Sequence, residues 1–280
     1  LGFAGTGFGQ LLAASPAGDS VYAATGSALS IASGRLSYVL GLHGPCVSYD
    51  TACSAALSAC HAGLRALQLA ECTTALVLGA NLVLALGVGT AFAVAGMTSA
   101  RGRSHTFDGR ADGYARAEAC GAAALRHELD GAMGLAMAGS AVRQDGRSAS
   151  LTAPNGQAQQ GLLAAALADG AMAANALTLS EAHGTGTALG DPIEAGSVAG
   201  ALLASRGAGL APLAVGGVKA NIGHAEPAAG MTGLLKLVVG LSCGMAAPNA
   251  QLRVLNPHLR GAMVGTGCAV ATHVGALGEL

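Results

Sequence analysis

The 280-residue chain is predicted to fold as an α/β protein. Three observations point there. Short apolar runs of strand length alternate with longer helix-like segments, glycine-rich turns join them, and two of the helix starts are marked by proline. A sheet covered on both faces by helices has strands that read as continuous apolar runs. In chain order, residues 47–50 read as a strand end, 54–71 as an alanine-rich helix, and 75–79 as a short buried strand followed by a loop and a helix. Further on, 177–182 reads as a strand, 192–205 as a helix, 212–218 as a strand and 227–241 as a helix. Asp191-Pro192-Ile193-Glu194 predicts a capping box, with Asp as the cap, Pro at the first helical position and Glu at the third. Pro227, directly after Glu226, marks the second start in the same way. Before each of these helices lies a glycine-rich loop bearing a histidine, His183-Gly184-Thr185-Gly186-Thr187 and Asn221-Ile222-Gly223-His224. Loops at strand ends are where sites on such sheets sit.

Composition narrows the function. The net charge is −1 with no basic run, which excludes the electrostatic footprint of a nucleic-acid or anionic-membrane binder. Charged residues make up only 10% of the chain, too few to cover its surface, so a partner or a larger parent protein is expected to cover part of it. Seven cysteines, an odd number with no C-x-x-C pair, fit a reducing, intracellular and most simply cytoplasmic setting. The chain opens on Leu1 and shows no signal-peptide pattern, which reads as a truncated sequence. Residues 72–100 carry no charge but are broken by Gly79, Asn81, Gly87, Gly89 and Gly96, so they read as strand, loop and helix rather than as a membrane span. With neither a repeat nor a low-complexity linker, the chain reads as one compact unit.

Three residues stand out chemically. Cys53 precedes the helical run beginning Ser54-Ala55-Ala56 and would sit at a helix N-terminus, where unpaired N–H groups stabilise a thiolate or an oxyanion. From position alone, a nucleophile and a buried structural cysteine are both open. His183 and His224 lie in turns where a backbone can approach a ligand closely. Each is open to reading as a general base or hydrogen-bond donor, or as a loop histidine satisfied by nearby carbonyls. Two such histidines with one candidate nucleophile favour a Cys/His/His site. Three other patterns lack their context. Gly240-Leu241-Ser242-Cys243-Gly244 has the G-x-S-x-G string but no preceding strand. Gly184 to Gly190 resembles a dinucleotide loop with its third glycine one place late. Cys46, Cys53 and Cys60-His61 lack zinc spacing, and no metal is expected.

Taken together, the motifs resemble those of β-ketoacyl synthases. The resemblance is carried by Asp50-Thr51-Ala52-Cys53-Ser54, by Glu181-Ala182-His183-Gly184-Thr185-Gly186-Thr187 with Gly190-Asp191-Pro192-Ile193-Glu194, and by Lys219-Ala220-Asn221-Ile222-Gly223-His224. Supporting strings are similar to ketosynthase domains of type I polyketide synthases: Gly34-Arg35-Leu36-Ser37-Tyr38, Thr106-Phe107-Asp108, Ala111-Asp112-Gly113-Tyr114, Gln144-Asp145-Gly146-Arg147, Leu151-Thr152-Ala153-Pro154-Asn155-Gly156 and Leu255-Asn256-Pro257-His258. The resemblance implies a thiolase-like layered fold (α-β-α-β-α) of two related halves, about 1–131 with the nucleophile and 132–280 with both histidines, assembled as a homodimer. It also implies an internal segment of the family's domain, without the first strand region or the glycine-rich segment at the far end.

The implied reaction is a decarboxylative Claisen condensation in polyketide or fatty acid biosynthesis, on substrates carried by the phosphopantetheine of acyl carrier protein, with no directly bound cofactor. Cys53 would take the acyl chain and His183 and His224 would assist decarboxylation. Lys219 would support His224, and Thr185 and Thr187 would contact the phosphopantetheine arm. The alternatives are a catalytically silent scaffold or chain-length partner of the same fold, and a thiolase-type or hydrolytic cysteine enzyme. Two departures are visible. Ala55-Ala56 stand where serines are common, and Ala117 and Ala119 stand where glycines are frequent; both are tolerable, the second at a risk of backbone strain.

Overall fold

The computed structural model describes residues 1–5, 7–127, 135–207 and 209–277. Contacts divide the chain into two units interleaved along the sequence, where a single one was expected. The first holds Leu1–Gly96, Arg116–Ala132 and His224–Thr232, and the second holds Met97–Ala115, Met133–Gly223 and Gly233–Leu280. The expected division at 131/132 lies outside the described residues.

In the first unit, helices α1 (Phe8–Ala13), α2 (Ala23–Ser27) and α3 (Leu29–Leu40) precede α4 (Ala55–Gln68), strand β1 (Thr74–Asn81), α5 (Leu86–Val94) and strand β2 (Ala119–Arg126). Strands β1 and β2 are antiparallel, with Thr74 opposite Arg126 and Asn81 opposite Ala119. The other edge of β1 is extended by the first residues of the chain. The Gly2 N–H donates to Leu78 O at 2.7 Å, and the Phe3 N–H donates to Tyr49 O at 3.0 Å. The strand end expected at 47–50 is reduced to this bridge at Tyr49. Strand β2 was not anticipated, because its run of small residues carries little periodic signal.

The alanine- and glycine-rich composition has a direct packing consequence here. A Cβ at Gly79 would lie 2.8 Å from the Ala56 Cβ, and one at Gly2 would lie 2.3 Å from the Ala56 N, so α4 rests on the sheet at nearly backbone-to-backbone distance. Ala55, Ala56 and Cys60 are fully buried there. Each buried methyl contributes about 0.8 kcal/mol, so cohesion arises from many small contacts rather than a few large side chains. The departures at 55 and 56 are therefore accommodated by packing. Ala117 and Ala119 are not among the residues with positive φ, so the alanines there bring no left-handed strain.

The second unit contains α6 (Gly156–Asp169), β3 (Leu179–Glu181), α7 (Gly190–Val198), β4 (Leu213–Gly216), α8 (Lys219–Ile222), α9 (Ala229–Cys243, whose first turn belongs to the first unit), β5 (Met245–Ala246), α10 (Arg260–Met263), β6 (Cys268–Val270) and β7 (Gly275–Ala276). Asn155 caps α6, its side chain accepting from the N–H groups of Gln157 and Ala158. The helix expected at 192–205 starts earlier, at Gly190, and continues as a π-helical turn over Ala199–Leu203. Strands β3, β4 and β6 form a parallel sheet with β4 central and buried throughout. Phe107, Leu213, Val215, Leu259 and Met263 pack with Val198, Leu202 and Leu203 as its core. The G-x-S-x-G string closes α9, with Gly244 at φ 64° just beyond its end, and is not a strand-to-helix elbow. The charge-free stretch 72–100 forms β1, a loop and α5, as expected. Among the described residues, no helix is long and apolar enough to cross a membrane.

One buried carboxylate ties the second unit together. Asp108 is fully buried and accepts from Arg110 Nε at 2.7 Å, Arg110 N at 2.9 Å, Arg253 N at 2.7 Å and Val254 N at 3.0 Å. Burial alone would raise its pKa. The Arg110 guanidinium and the backbone N–H groups of Arg253, Val254 and Arg110 outweigh that and hold it well below the usual carboxylate range. Its stabilisation is present above the unfolded carboxyl's pKa and is lost as pH falls through the depressed folded value. Asp108→Asn removes the charge while keeping the shape, and is expected to cost about 3 kcal/mol. The check is the urea midpoint at neutral pH, where the variant should unfold earlier, with the gap narrowing in strong acid.

Candidate active site

Cys53 is the last residue before the N-cap, Ser54, of α4. The turn that delivers it is tightly cross-bonded. The Ala52 N–H donates to Asp50 Oδ1 at 3.2 Å, and Ser54 Oγ donates to the Thr51 carbonyl at 2.9 Å and lies 2.8 Å from Thr51 Oγ1. Ala52 sits at φ 53°, in the left-handed region that a non-glycine residue enters at a cost of order 1–3 kcal/mol. Strain next to a half-buried cysteine at a helix N-terminus is compatible with a nucleophile held in place by its turn. It favours that reading of Cys53 over the structural one. Cys60, on α4 itself, is the buried structural thiol of the pair, and burial pushes its pKa up.

His224 belongs to the same unit, and one of its ring nitrogens lies within 4.8 Å of Cys53 Sγ. The Glu226 N–H donates to His224 Nδ1 at 3.1 Å, so the neutral ring carries its proton on Nε2. The His224 carbonyl accepts from the Ala117 N–H at 2.9 Å, fixing the backbone of the loop as well. The ring of this buried histidine is thus a hydrogen-bond donor with a set tautomer.

In the second unit, His183 stands in the loop between β3 and α7. The expected capping box is not formed there, because both acidic side chains point back at the loop. Glu194 accepts from the N–H groups of His183 at 2.5 Å and Gly184 at 2.7 Å. Asp191, almost fully buried, accepts from Phe107 N at 2.8 Å, Gly186 N at 3.0 Å and Thr187 N at 3.3 Å. Thr106 Oγ1 donates to Gly184 O at 2.5 Å. Gly184 and Gly186 take φ 49° and 79°, and a Cβ on either would meet Thr106 or His105 at 2.6–2.7 Å, so glycine is required at both. His183 is solvent-exposed as a residue, yet the protein packs densely around its ring. Desolvation and then the nearby Lys219 ammonium lower its pKa to about 3. His183 is therefore neutral at physiological pH.

Lys219, at the start of α8, is buried, and its Nζ donates to the His183 carbonyl. The family resemblance implied support of His224 instead. Thr185 is buried and Thr187 half-buried. Their hydroxyls lie 3.3 Å apart, and Thr187 Oγ1 accepts from the Gly190 N–H at 3.1 Å. Behind the loop, Glu181 accepts from the Val218 N–H and pairs with Lys236 at 2.7 Å, while Asn249 Oδ1 accepts from Gly217 N at 2.7 Å. The structure thus brings Cys53 together with His224 in one unit, and gathers His183, Lys219, Thr185 and Thr187 in the other.

Sequence reasoning missed Asn249, Arg116 and Glu226 as supports, and read Asp191 and Glu194 as helix caps. The one usable signal was the Thr106-Phe107-Asp108 string. Its three residues turn out to hold Gly184, Asp191 and the segment at Arg253, respectively.

Known proteins share both the sequence and the fold. Residues 2–131 match the family model "Beta-ketoacyl synthase, N-terminal domain", and residues 135–253 match its C-terminal counterpart. The chain is 43% identical over 255 residues to one of the phenolphthiocerol/phthiocerol polyketide synthase polypeptides of Mycobacterium tuberculosis, covering 89% of this chain and 16% of that protein. It is 44% identical over 248 residues to another polypeptide of the same synthase in that species, covering 87% of this chain and 11% of that one. Among solved structures, the oxazolomycin ketosynthase domain of Streptomyces albus JA3453 superposes with a TM-score of 0.84 at 33% identity, over 90% of this chain and 44% of that one. The ketosynthase from module 6 of the bacillaene synthase of Bacillus subtilis 168 gives 0.83 at 30%, over 90% of this chain and 45% of that one. The fold is thus thiolase-like, as expected, and the chain spans less than half of these ketosynthase structures and a small fraction of the synthase polypeptides. One family's two consecutive models account for the sequence from residue 2 to residue 253: the chain belongs to the β-ketoacyl synthase family.

Proposed function

We propose that the chain carries the condensing chemistry of polyketide chain extension. One observation supports this most directly: a cysteine on a strained turn at a helix N-terminus, within 4.8 Å of a histidine whose Nε2 carries the proton. The Cys53 thiolate attacks the carbonyl of an acyl thioester on the phosphopantetheine of acyl carrier protein. The carrier's phosphopantetheine leaves as a thiolate and an acyl-Cys53 thioester forms. A malonyl-type thioester then loses carbon dioxide, and the electron pair of the broken C–C bond passes into an enolate. Neutral His183 and His224 donate hydrogen bonds to the enolate oxygen as its charge grows. The enolate carbon attacks the acyl-Cys53 carbonyl, the Cys53 thiolate is expelled, and the β-ketoacyl product remains on the carrier.

Lys219 holds the His183 backbone, and Thr185 and Thr187 face the phosphopantetheine arm. No metal or directly bound cofactor is needed for these steps. Acyl carrier protein is the required partner. A second copy of the chain fits the sparse charge, and seven cysteines, with no disulfide among the described residues, suit a reducing compartment such as the cytoplasm.

Incubation with an acyl-phosphopantetheine thioester is expected to raise the intact mass of the chain by one acyl group, and Cys53→Ala should show no gain. A folded chain that takes up no acyl group would favour a silent scaffold, and release of free acid would favour a hydrolase.

His183 gives a pH signature of defined sign. Its folded pKa, about 3, lies below that of an ordinary histidine, so between these values the unfolded chain binds a proton that the folded chain refuses. Stability should therefore fall as pH drops from about 6.5 towards 3. His183→Gln should flatten that slope in acid titrations followed by circular dichroism. In single-turnover assays the same variant should lower decarboxylation about 100-fold or more while leaving Cys53 acylation intact.

A further inference from the structure

We infer that Arg116 is a positioning residue for His224, acting through the backbone of Glu226. The inference rests on reading His224 as the hydrogen-bond donor to the enolate. Glu226, whose N–H sets the His224 tautomer, lies at φ 45°, a conformation that costs a non-glycine residue of order 1–3 kcal/mol. Its carboxylate is gripped in fork geometry by Arg116, with Nε to Oε1 at 2.5 Å and an outer guanidinium nitrogen to Oε2 at 3.0 Å. Both side chains are only 15% exposed, so this is not a solvated surface pair.

Arg116 is itself held on several sides. Its guanidinium lies 5.5 Å from the centroid of Phe92 on α5, and Gly89, one turn earlier, lets it approach so closely that a Cβ there would lie 3.2 Å from it. The Arg116 backbone bridges to His224, the next residue's N–H donates to the His224 carbonyl, and Asn81 Nδ2 donates to Ala117 O at 2.8 Å. One short segment therefore fixes the His224 main chain and, through Arg116 and Glu226, the protonated nitrogen of its ring. Without the fork, Glu226 relaxes to negative φ and its N–H leaves Nδ1. The proton is then free to move to Nδ1, leaving Nε2 with a lone pair where the enolate needs a donor.

The test is the imidazole 15N spectrum of the full chain, with the His224 signals assigned by their loss in His224→Gln. The parent chain should show His224 with an unprotonated Nδ1 and a protonated Nε2. Arg116→Ala should shift both signals towards a tautomer mixture, and Arg116→Lys, which keeps the charge but not the fork, should shift them less. Adding Glu226→Gly to Arg116→Ala should restore the parent pattern, because glycine holds a positive φ unaided. In parallel, Arg116→Ala should slow carbon dioxide release roughly tenfold or more with Cys53 acylation unchanged, and the double variant should recover to within about threefold. An unchanged His224 spectrum in Arg116→Ala, or a double variant no better than the single one, would overturn the inference. Should Arg116→Ala fail to fold, Arg116→Lys and Glu226→Gln decide it, since parent-like spectra in both would refute the positioning role. A parent chain that takes no acyl group would count against the proposed function, while the spectra would still decide the role of Arg116.

Discussion

The second unit depends on two carboxylates that accept five backbone N–H groups between them. Asp191 takes those of Phe107, Gly186 and Thr187, and Glu194 takes those of His183 and Gly184. Burial pushes both carboxyls above their usual pKa range, and the N–H groups and the Lys219 ammonium pull the other way. Charge-assisted bonds of this kind are worth about 1.5–3 kcal/mol each and offset part of the desolvation of both groups. In return, the loop carrying His183 has its backbone fixed at nearly every residue. The same bonds hold Phe107, the largest fully buried side chain, at φ 63°. Core packing and loop geometry are thus set by one set of contacts.

The first unit reaches a similar end with different materials. Its core is rich in alanine and glycine, which let α4 approach β1 closely and fix where the helix begins, and with it where Cys53 stands. Among the described residues of this unit, two of the three non-glycine positions with positive φ flank the candidate site. Ala52 precedes the thiol, and Glu226 follows the histidine by two residues. Such conformations persist only where the surroundings over-determine them. Here the Asp50–Ser54 turn and the Arg116 fork supply that constraint.

How much of this was legible in the sequence depends on which signals act locally. Helix 54–71 and the strands within 75–79, 177–182 and 212–218 were readable because a continuous apolar run or an alanine-rich helical stretch declares itself over a few residues. Strand β2 was not, since its small side chains pack against a partner far away in sequence. The acidic motif at 191–194 was read by its local spacing, which matches a capping box. Its real partners, Phe107 among them, lie up to 84 residues away, and only the folded chain reveals them. The candidate chemistry at Cys53, His183 and His224 could be named from motifs. The supports at Asn249, Arg116 and Glu226 could not, because each acts through one contact that no periodicity announces.

His183 is held neutral, which makes its influence that of a dipole rather than of an ion. The field of a dipole fades with distance faster than that of a charge and depends on direction, so it stabilises an oxyanion only at close range and correct angle. In the proposed reaction, the quantity this loop has to hold is therefore orientation. Substitutions that leave the charge inventory untouched but tilt the His183 backbone by a fraction of an ångström would be more damaging than many that alter net charge elsewhere.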